Sequence, residues 1–377
     1  MDELVLCSPG RGKVAPVRGM RLRCTNFRCF ANIEVSFAPS RNLFVGKNAQ
    51  GKTTLIEAIH LIATTTSFRT NTVRDVIRGG ESFASAELES TDPPSTLEIQ
   101  VPARGRRVAR LNRLALPKVS DLVGRFPSVV FTSQDLRLVT AEPADRRRFL
   151  DQEISQLSPA YFVTLFKFRR ALDQRNALLK EIHAGHEPPG SLDVWDHRLA
   201  ESGAEIRTRR LAFVEELAGF AREEHHRLSG GTERLDVRIL AKDGALEAGA
   251  LLQNLTRARQ VDIAAGTTTA GPHRDDVELL LNGEPVRKRG SQGQQRTVVL
   301  ALKLALLSLW QEREGRLPVL LLDDIMSDLD QTRRARVLEV TGKMGQVFIT
   351  STELQNVSDL LDEDSRVFTL EGGRLAT

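Results

Sequence analysis

The chain has 377 residues, 41% of them apolar and 27% charged, with 53 Lys and Arg against 49 Asp and Glu and a net charge of +4. This is an ordinary globular composition with core for roughly two or three folding units, and no apolar run approaches the roughly 20 residues of a membrane span, so no membrane partner is expected. The three cysteines, Cys7, Cys24 and Cys29, are too few for a disulfide framework and lack metal-ligand spacing with any His, which points to free thiols in a reducing cytoplasm.

Residues 1–19 carry Pro, Gly and basic residues without periodicity, and no apolar core of a secretory signal. A flexible tail is expected there, or a start placed too early, with Met20 opening the patterned sequence. Met20 to Phe30 and Ile33 to Phe37 alternate apolar and polar as paired strands do. The short apolar run Asn42 to Val45 reads as a buried strand. Gly46-Lys47-Asn48-Ala49-Gln50-Gly51-Lys52-Thr53 follows, a complete P-loop, and the apolar residues from Thr54 to Ile62 then recur at helical spacing. Glycines let successive backbone N–H groups curl around phosphate oxygens at a helix N-terminus that already favours anions. Lys52 would reach the β- and γ-phosphates and the Thr53 hydroxyl would ligate Mg²⁺. These eight residues and Thr54 are the expected ATP or GTP site. No G-x-G-x-x-G follows a strand, which excludes a dinucleotide oxidoreductase.

Residues 83–131 contain further short strands, a β-rich subdomain beside the nucleotide. Within it Arg104, Arg106, Arg107, Arg110, Arg113 and Lys118 crowd together, and Arg146, Arg147 and Arg148 follow. Any single arginine in such a run is ordinarily part of a solvated face, but sequence-independent DNA binding needs only cations facing phosphates. Arg104, Arg106, Arg107, Arg110, Arg146 and Arg147 are the expected DNA contacts. With one Tyr and two Trp, no base-stacking groove is advertised. From about Ala144 to Leu228 the period becomes helical. Ser158-Pro159 reads as a cap and first-turn pair, and the run broken at His186-Glu187-Pro188-Pro189-Gly190 predicts two antiparallel helices of about 40–50 Å. His273, beside Asp275 and Asp276, reads as a structural hydrogen-bonder, and no metal beyond Mg²⁺ is assigned. Near the other end, Pro318 to Asp324 reads as a buried parallel strand tipped by two carboxylates. Asp323 would hold Mg²⁺, and Asp324 would orient or deprotonate the attacking water. Lys52 and Asp323 are about 270 residues apart, so the helical segment is an insertion within a nucleotide domain.

Between that insertion and the Asp-Asp strand, Gly290-Ser291-Gln292-Gly293-Gln294-Gln295-Arg296 opens a long apolar helix. The Ser291 hydroxyl, the Gly293 backbone and the helix dipole make a second anion site. The element resembles the signature motif of ABC-type ATPases. That resemblance implies that Ser291, Gln292, Gly293 and Gln294 cap the γ-phosphate bound by a second protomer in an ATP-dependent homodimer. It also implies that Ser327-Asp328-Leu329-Asp330 is a D-loop in which Asp328 meets the opposite site, and that Gln134 is a Q-loop residue for metal and water.

Within that class the pattern is similar to the SMC-type branch and, more narrowly, to the RecF family, from Met20 nearly to the end. The residues that carry this are Asn26-Phe27-Arg28-Cys29-Phe30, Ser67-Phe68-Arg69-Thr70, Arg146-Arg147-Arg148-Phe149-Leu150-Asp151, Thr269-Ala270-Gly271-Pro272-His273-Arg274-Asp275-Asp276 and Ser291 to Arg296. The resemblance implies an α/β, ABC-type P-loop ATPase head with an inserted helical arm lacking a long coiled coil. The head would comprise residues 20–140 and 235–377 in two lobes, the arm residues 141–234, and Arg28 would join the ATP-binding residues. A cytoplasmic, slow, DNA-stimulated ATPase is implied, one that binds single-stranded or gapped DNA and helps RecR and RecO load recombinase, in support of the SOS response. Two departures bear on rate. Asp324 stands where a longer Glu is usual, and Thr350 or Thr352 stands at the position of the switch histidine. Two alternatives are an ABC transporter ATPase subunit and a structural SMC-type head. The arm insertion and the Gln-Gly-Gln-Gln-Arg signature argue against the first, and the want of long coiled coils against the second.

Overall fold

The computed structural model describes residues 19–91 and 94–376, so the tail expected over residues 1–19 lies, apart from Gly19, outside the described residues. β1 (Arg21–Phe27) and β2 (Phe30–Ser36) form the hairpin that the alternation predicts, with Arg21 opposite Ser36 and Phe27 opposite Phe30. β3 (Arg41–Val45) leads through the P-loop into α1 (Lys52–Thr64). Almost every residue of α1 is buried, as befits a helix lying between two sheets. β4 (Phe83–Thr91), β5 (Pro94–Pro102), β6 (Val108–Leu111) and β7 (Leu114–Ala115) extend the hairpin into a six-stranded antiparallel sheet of order β2-β1-β4-β5-β6-β7.

β8 (Ser128–Thr132) returns to the second sheet, and then α2 (Arg137–Thr140), α3 (Pro143–Leu157), α4 (Pro159–His183) and α5 (Asp193–Leu228) follow. Ser158 caps α4 by accepting the Tyr161 N–H, with Pro159 in the first turn. At 25 and 36 residues, α4 and α5 span about 37 and 54 Å. The chain continues through β9 (Leu235–Leu240), α6 (Ala248–Ala265), β10 (Asp276–Leu281), β11 (Glu284–Pro285), α7 (Val286–Arg289) and α8 (Gln292–Glu314). It ends with β12 (Val319–Asp323), α9 (Gln331–Thr341), β13 (Val347–Ser351), β14 (Arg366–Glu371) and β15 (Arg374–Ala376).

The second sheet has the order β15-β14-β3-β13-β12-β8, parallel from β14 to β8, with β15 antiparallel at its edge. Its central strands are buried on both faces and are continuous apolar runs for that reason. Leu321 of β12 and Phe44 of β3 face the core around α1 and the antiparallel sheet, while Leu320, Leu322 and Leu43 face the core with α8 and α5. The layers are thus antiparallel sheet, α1, parallel sheet, and the α8–α5 helices.

Helix α6 lies in the stretch assigned from sequence to the head, yet it packs on α4 and α5. The reason is a buried knot of charge: Arg175 of α4 donates to Asp196 of α5 and to Asp262 of α6, both at 2.6 Å. No helix among the described residues is long and apolar enough to cross a membrane.

Candidate nucleotide-binding site

Parallel strands bring their carboxyl ends to one edge, where loops and helix N-termini converge. Register does this here: Asp323 pairs with Thr350 on one side and Thr132 on the other, while Val45, the last residue before the P-loop, pairs with Ser351. The P-loop needs glycine at two points. Gly46 has φ 155, and a Cβ there would collide with the Leu370 carbonyl oxygen; Gly51 has φ 102, and its Cβ would meet the Phe30 ring. Ala49 also sits in the left-handed region, at φ 65. The result is an open cleft of about 500 Å³ lined by Asn48 to Thr54 together with Arg28, Arg69 and Asp324.

Lys52 is buried and folds back over the loop, its Nζ donating to Gly46 O at 2.5 Å and Lys47 O at 2.8 Å. Burial holds its pKa below the ordinary lysine value, with Asp324 and Asp323 pulling the other way. Asp323 Oδ1 accepts two hydroxyls, from Thr53 and from Thr350, each at 2.8 Å. Burial raises the Asp323 carboxyl and those two hydrogen bonds oppose the rise. Asp324 has a non-glycine positive φ of 53, held by its N–H donating to Thr350 Oγ1 at 3.0 Å. Its carboxylate has no hydrogen-bond partner among the described residues, and desolvation raises its pKa against the pull of Lys52. The Thr350 hydroxyl is thus committed to the two aspartates, which leaves Thr352 as the half-exposed member of the expected switch pair.

The fit to magnesium nucleotide can be tested on this arrangement. Thr53 and Asp323 offer only oxygen donors, set side by side, which is the donor set a hard cation takes. The glycine cradle and Lys52 suit phosphate. Mg²⁺ held by Thr53 and Asp323 would neutralise phosphate charge.

Glu57 escaped the sequence reading. It is completely buried on α1, and its two oxygens accept Arg28 (3.0 and 2.6 Å), Ser67 Oγ (2.6 Å) and Arg69 (3.1 Å). Arg28, itself at φ 54 in the β1–β2 turn, also donates to Asp75 O at 2.7 Å. One buried carboxylate therefore orients both arginines of the cleft. The available signal was a lone carboxylate among the apolar residues Leu55 to Ile62, a stretch whose one other polar residue is His60.

Gln134 lies two residues past Thr132, exposed, on an adjoining cavity of about 210 Å³ that shares Arg69 with the cleft. Ser291, Gln292 and Gly293 lie outside the cleft and are exposed. Ser291 caps α8 in a reciprocal box with Gln294: the Gln294 N–H donates to Ser291 Oγ at 3.2 Å, and the Ser291 N–H to Gln294 Oε1 at 2.7 Å. Asp328 is exposed close by, its carbonyl accepting Arg296 at 3.1 Å, and Arg333 donates to Gly293 O at 2.7 Å. Further along α8, buried Lys303 donates to Val130 O of β8 at 2.8 Å and pairs with Asp135, next to Gln134, at 2.9 Å.

The expected DNA arginines separate. Arg104 and Arg106 are exposed on the β5–β6 connection. Arg107 is half-buried and donates to Thr65 O at 2.6 Å, and Arg110 pairs with Glu98 at 2.8 Å. Arg146 is a correction. It is buried, gripping Asp276 at 2.8 and 3.0 Å and donating to Leu138 O and Ala141 O, so its guanidinium is committed within the fold. Arg147 donates to Asp275 O at 2.6 Å. His273 bonds Thr268 O at 3.0 Å, and burial lowers its pKa to about 4, so it stays neutral as the structural group expected. No cluster of metal-ligating side chains occurs among the described residues.

An α1 layer between an antiparallel and a parallel sheet, interrupted by a helical insertion between P-loop and Asp-Asp strand, defines an ABC-type ATPase head of the SMC class. The family model described as the RecF/RecN/SMC N terminal domain matches residues 20–375. The chain belongs to the RecF family of DNA replication and repair proteins. It is 37% identical over 363 residues to the DNA replication and repair protein RecF of Alkaliphilus oremlandii, covering 94% of this chain and 98% of that one. Among solved structures it is similar to the recombination mediator protein RecF with ATP in the RecFOR pathway, with a TM-score of 0.86, 30% identity, and coverage of 96% and 98%. The Smc head domain of Pyrococcus furiosus, at 16% identity and a TM-score of 0.52 over 94% of each chain, shares the fold.

Proposed function

We propose that this chain is an ATP-switched, DNA-binding mediator of recombination and repair. Two copies close head-to-tail around two ATP molecules, the closed pair holds DNA, and slow hydrolysis opens it. The observation that carries this reading is the placement of two anion-binding elements on one chain. The P-loop lines a cleft, whereas Ser291 caps the exposed N-terminus of α8 outside it, beside exposed Asp328. A second protomer is the source that would bring Ser291 to a γ-phosphate.

Within each site, Lys52 exchanges its two backbone acceptors for phosphate oxygens. Thr53 and Asp323 would hold Mg²⁺, which Gln134 would orient together with water, and Arg28 and Arg69 face the nucleotide from their Glu57 anchor. Asp324 takes the proton of the attacking water, since its carboxylate is unpartnered and its raised pKa strengthens it as a base. An aspartate reaches less far than a glutamate, and Thr352 supplies no imidazolium, so turnover is slow. Arg104 and Arg106 contact DNA phosphates on a single-stranded or gapped substrate. RecO and RecR are the proposed partners, because the solved RecF relatives belong to the RecFOR pathway.

Sedimentation velocity tests the core of this. ATP should convert monomer to dimer and ADP should not, and Ser291→Arg should remain monomeric with its ATP affinity intact; a Ser291→Arg protein that still dimerises refutes the role of Ser291. For DNA, replacing Arg104 and Arg106 with Ala should flatten the slope of log affinity against log salt by roughly 1.4 to 1.8 per protomer.

A further inference from the structure

The arm carries a concave feature of its own, between α4 and α5. Thr164 and Ala171 of α4 and Ser202 of α5 are small, and where they face one another the helices leave a groove of about 590 Å³. Lys167 and Arg170 of α4 and Arg198 of α5 stand on its rims. Along the same two helices other arginines are matched: Arg169 and Arg210 to Asp151, Arg175 to Asp196, Arg207 to Asp275, Arg209 to Glu205. Lys167, Arg170 and Arg198 have no carboxylate partner among the described residues. Arg198 instead lies over the half-buried Trp195 ring, 5.1 Å from its centroid. One turn before Arg170, Phe166 is 62% exposed.

We propose that this groove docks an acidic segment of a partner protein, one that sets a bulky apolar side chain beside at least two carboxylates. Guanidinium groups present a planar fork that matches carboxylates bidentately, and an indole beside them gives an apolar face for the adjoining side chain. The volume lies within the about 300–1,000 Å³ usual for ligand pockets, which leaves room for a few side chains of a bound segment. Nucleic acid fits worse. Glu201 and Glu205 line the same groove, towards the start of α4, and a strand carrying a phosphate at every nucleotide would run past them. A peptide can end its acidic stretch at Arg170 and Arg198. The groove shares no residue with the nucleotide cleft, so it is a separate site.

Tryptophan fluorescence reads the site directly, because the chain has two Trp and the other, Trp310, is buried in α8. The probe is a synthetic dodecapeptide of aspartate and glutamate with two central phenylalanines, titrated into the full chain. It should change the Trp195 emission, and Trp195→Phe should abolish the change. A double Arg170→Glu, Arg198→Glu variant should bind the probe at least tenfold more weakly while binding ATP as the parent does, which confirms its fold. The amide version of the peptide, with asparagine and glutamine, should not bind. Three results would overturn the proposal: no change up to millimolar probe, equal binding by the charge-reversal variant, or an equal emission change from a single-stranded oligonucleotide that displaces the peptide.

Discussion

At the root of the arm Arg207 donates to Asp275 at 2.8 and 2.7 Å, to Asp243 at 2.6 Å and to the Ala245 carbonyl, while Arg210 grips Asp151 and Pro272 O. In the nucleotide cleft Lys52 reaches only two carbonyls of its own loop, and the Asp324 carboxylate has no partner. Both regions hold desolvated charge, yet one is saturated and the other is left open. A buried charge that is fully matched fixes geometry; one that is matched only provisionally is ready for a ligand. The family motif from Thr269 to Asp276 belongs to the first kind, since Arg146, Arg147 and Arg207 tie its last two residues to α3 and α5.

The sharpest break would come at Arg207. Replacement by Ala strands Asp275 and Asp243 without their cation, which should cost about 3–5 kcal/mol of stability. Thermal melts should show it, while ATP affinity measured well below the melting temperature stays within about twofold of the parent. Lys52→Ala should do the reverse. Its bonds are to backbone carbonyls that water can satisfy, so stability should shift by less than about 1 kcal/mol. ATP binding should weaken about a hundredfold, equivalent to about 2.7 kcal/mol, by calorimetry. If both substitutions mainly lower the melting temperature, the distinction between the regions fails.

Glu57 lies buried behind the cleft and is saturated like the arm root. Glu57→Gln keeps a hydrogen-bonding side chain and loses the charge that pins Arg28 and Arg69. ATP affinity should fall about tenfold, with partial recovery in Glu57→Asp, whereas a purely structural role would lower stability and leave affinity alone. The smallest effect is at Glu153, on α3 between the two regions. Burial pushes its carboxyl up to about 7, with Lys303 pulling it down and Asp135 pushing it up. A carboxyl whose folded pKa lies above its unfolded value favours the folded state fully below about pH 4.5 and loses that contribution as pH rises through about 7. Glu153→Gln should therefore flatten the decline in melting temperature between about pH 5 and 8, and the variant should be the more stable protein at the alkaline end. Neighbouring His60, held down to about 3 by burial, stays neutral throughout and does not contribute.

Local motifs were legible in the sequence and long-range partnerships were not. The P-loop, the Asp323–Asp324 strand and the paired arm helices follow from residues adjacent in sequence, and they appear where expected. Helix α6 was not foreseen, because the Gly- and Ala-rich stretch before it and its weak apolar stripe give little helical signal. Arg146 reads like Arg104 in sequence, and only Asp276, 130 residues away, makes it a buried strut. The same holds for Glu57, whose value lies in Arg28 and Arg69 arriving from two other segments. Conversely, the Thr350–Thr352 ambiguity needed the register of β12 and β13, which sets Thr350 directly against Asp323.

Helix α8 has a consequence beyond holding Ser291 in place. Ser291 to Lys303 is about 18 Å of continuous helix, and at the far end Lys303 grips both the strand and the loop that carry Gln134. A packed helix of that length behaves as a stiff lever. In the proposed head-to-tail pair, a nucleotide seated on one subunit would press on the Ser291 of the other, and the push would arrive beside that second subunit's own Gln134, the residue proposed to orient water. Loading of the two sites would then be cooperative and their firing synchronous, with each protomer gauging whether its twin is charged before it turns over.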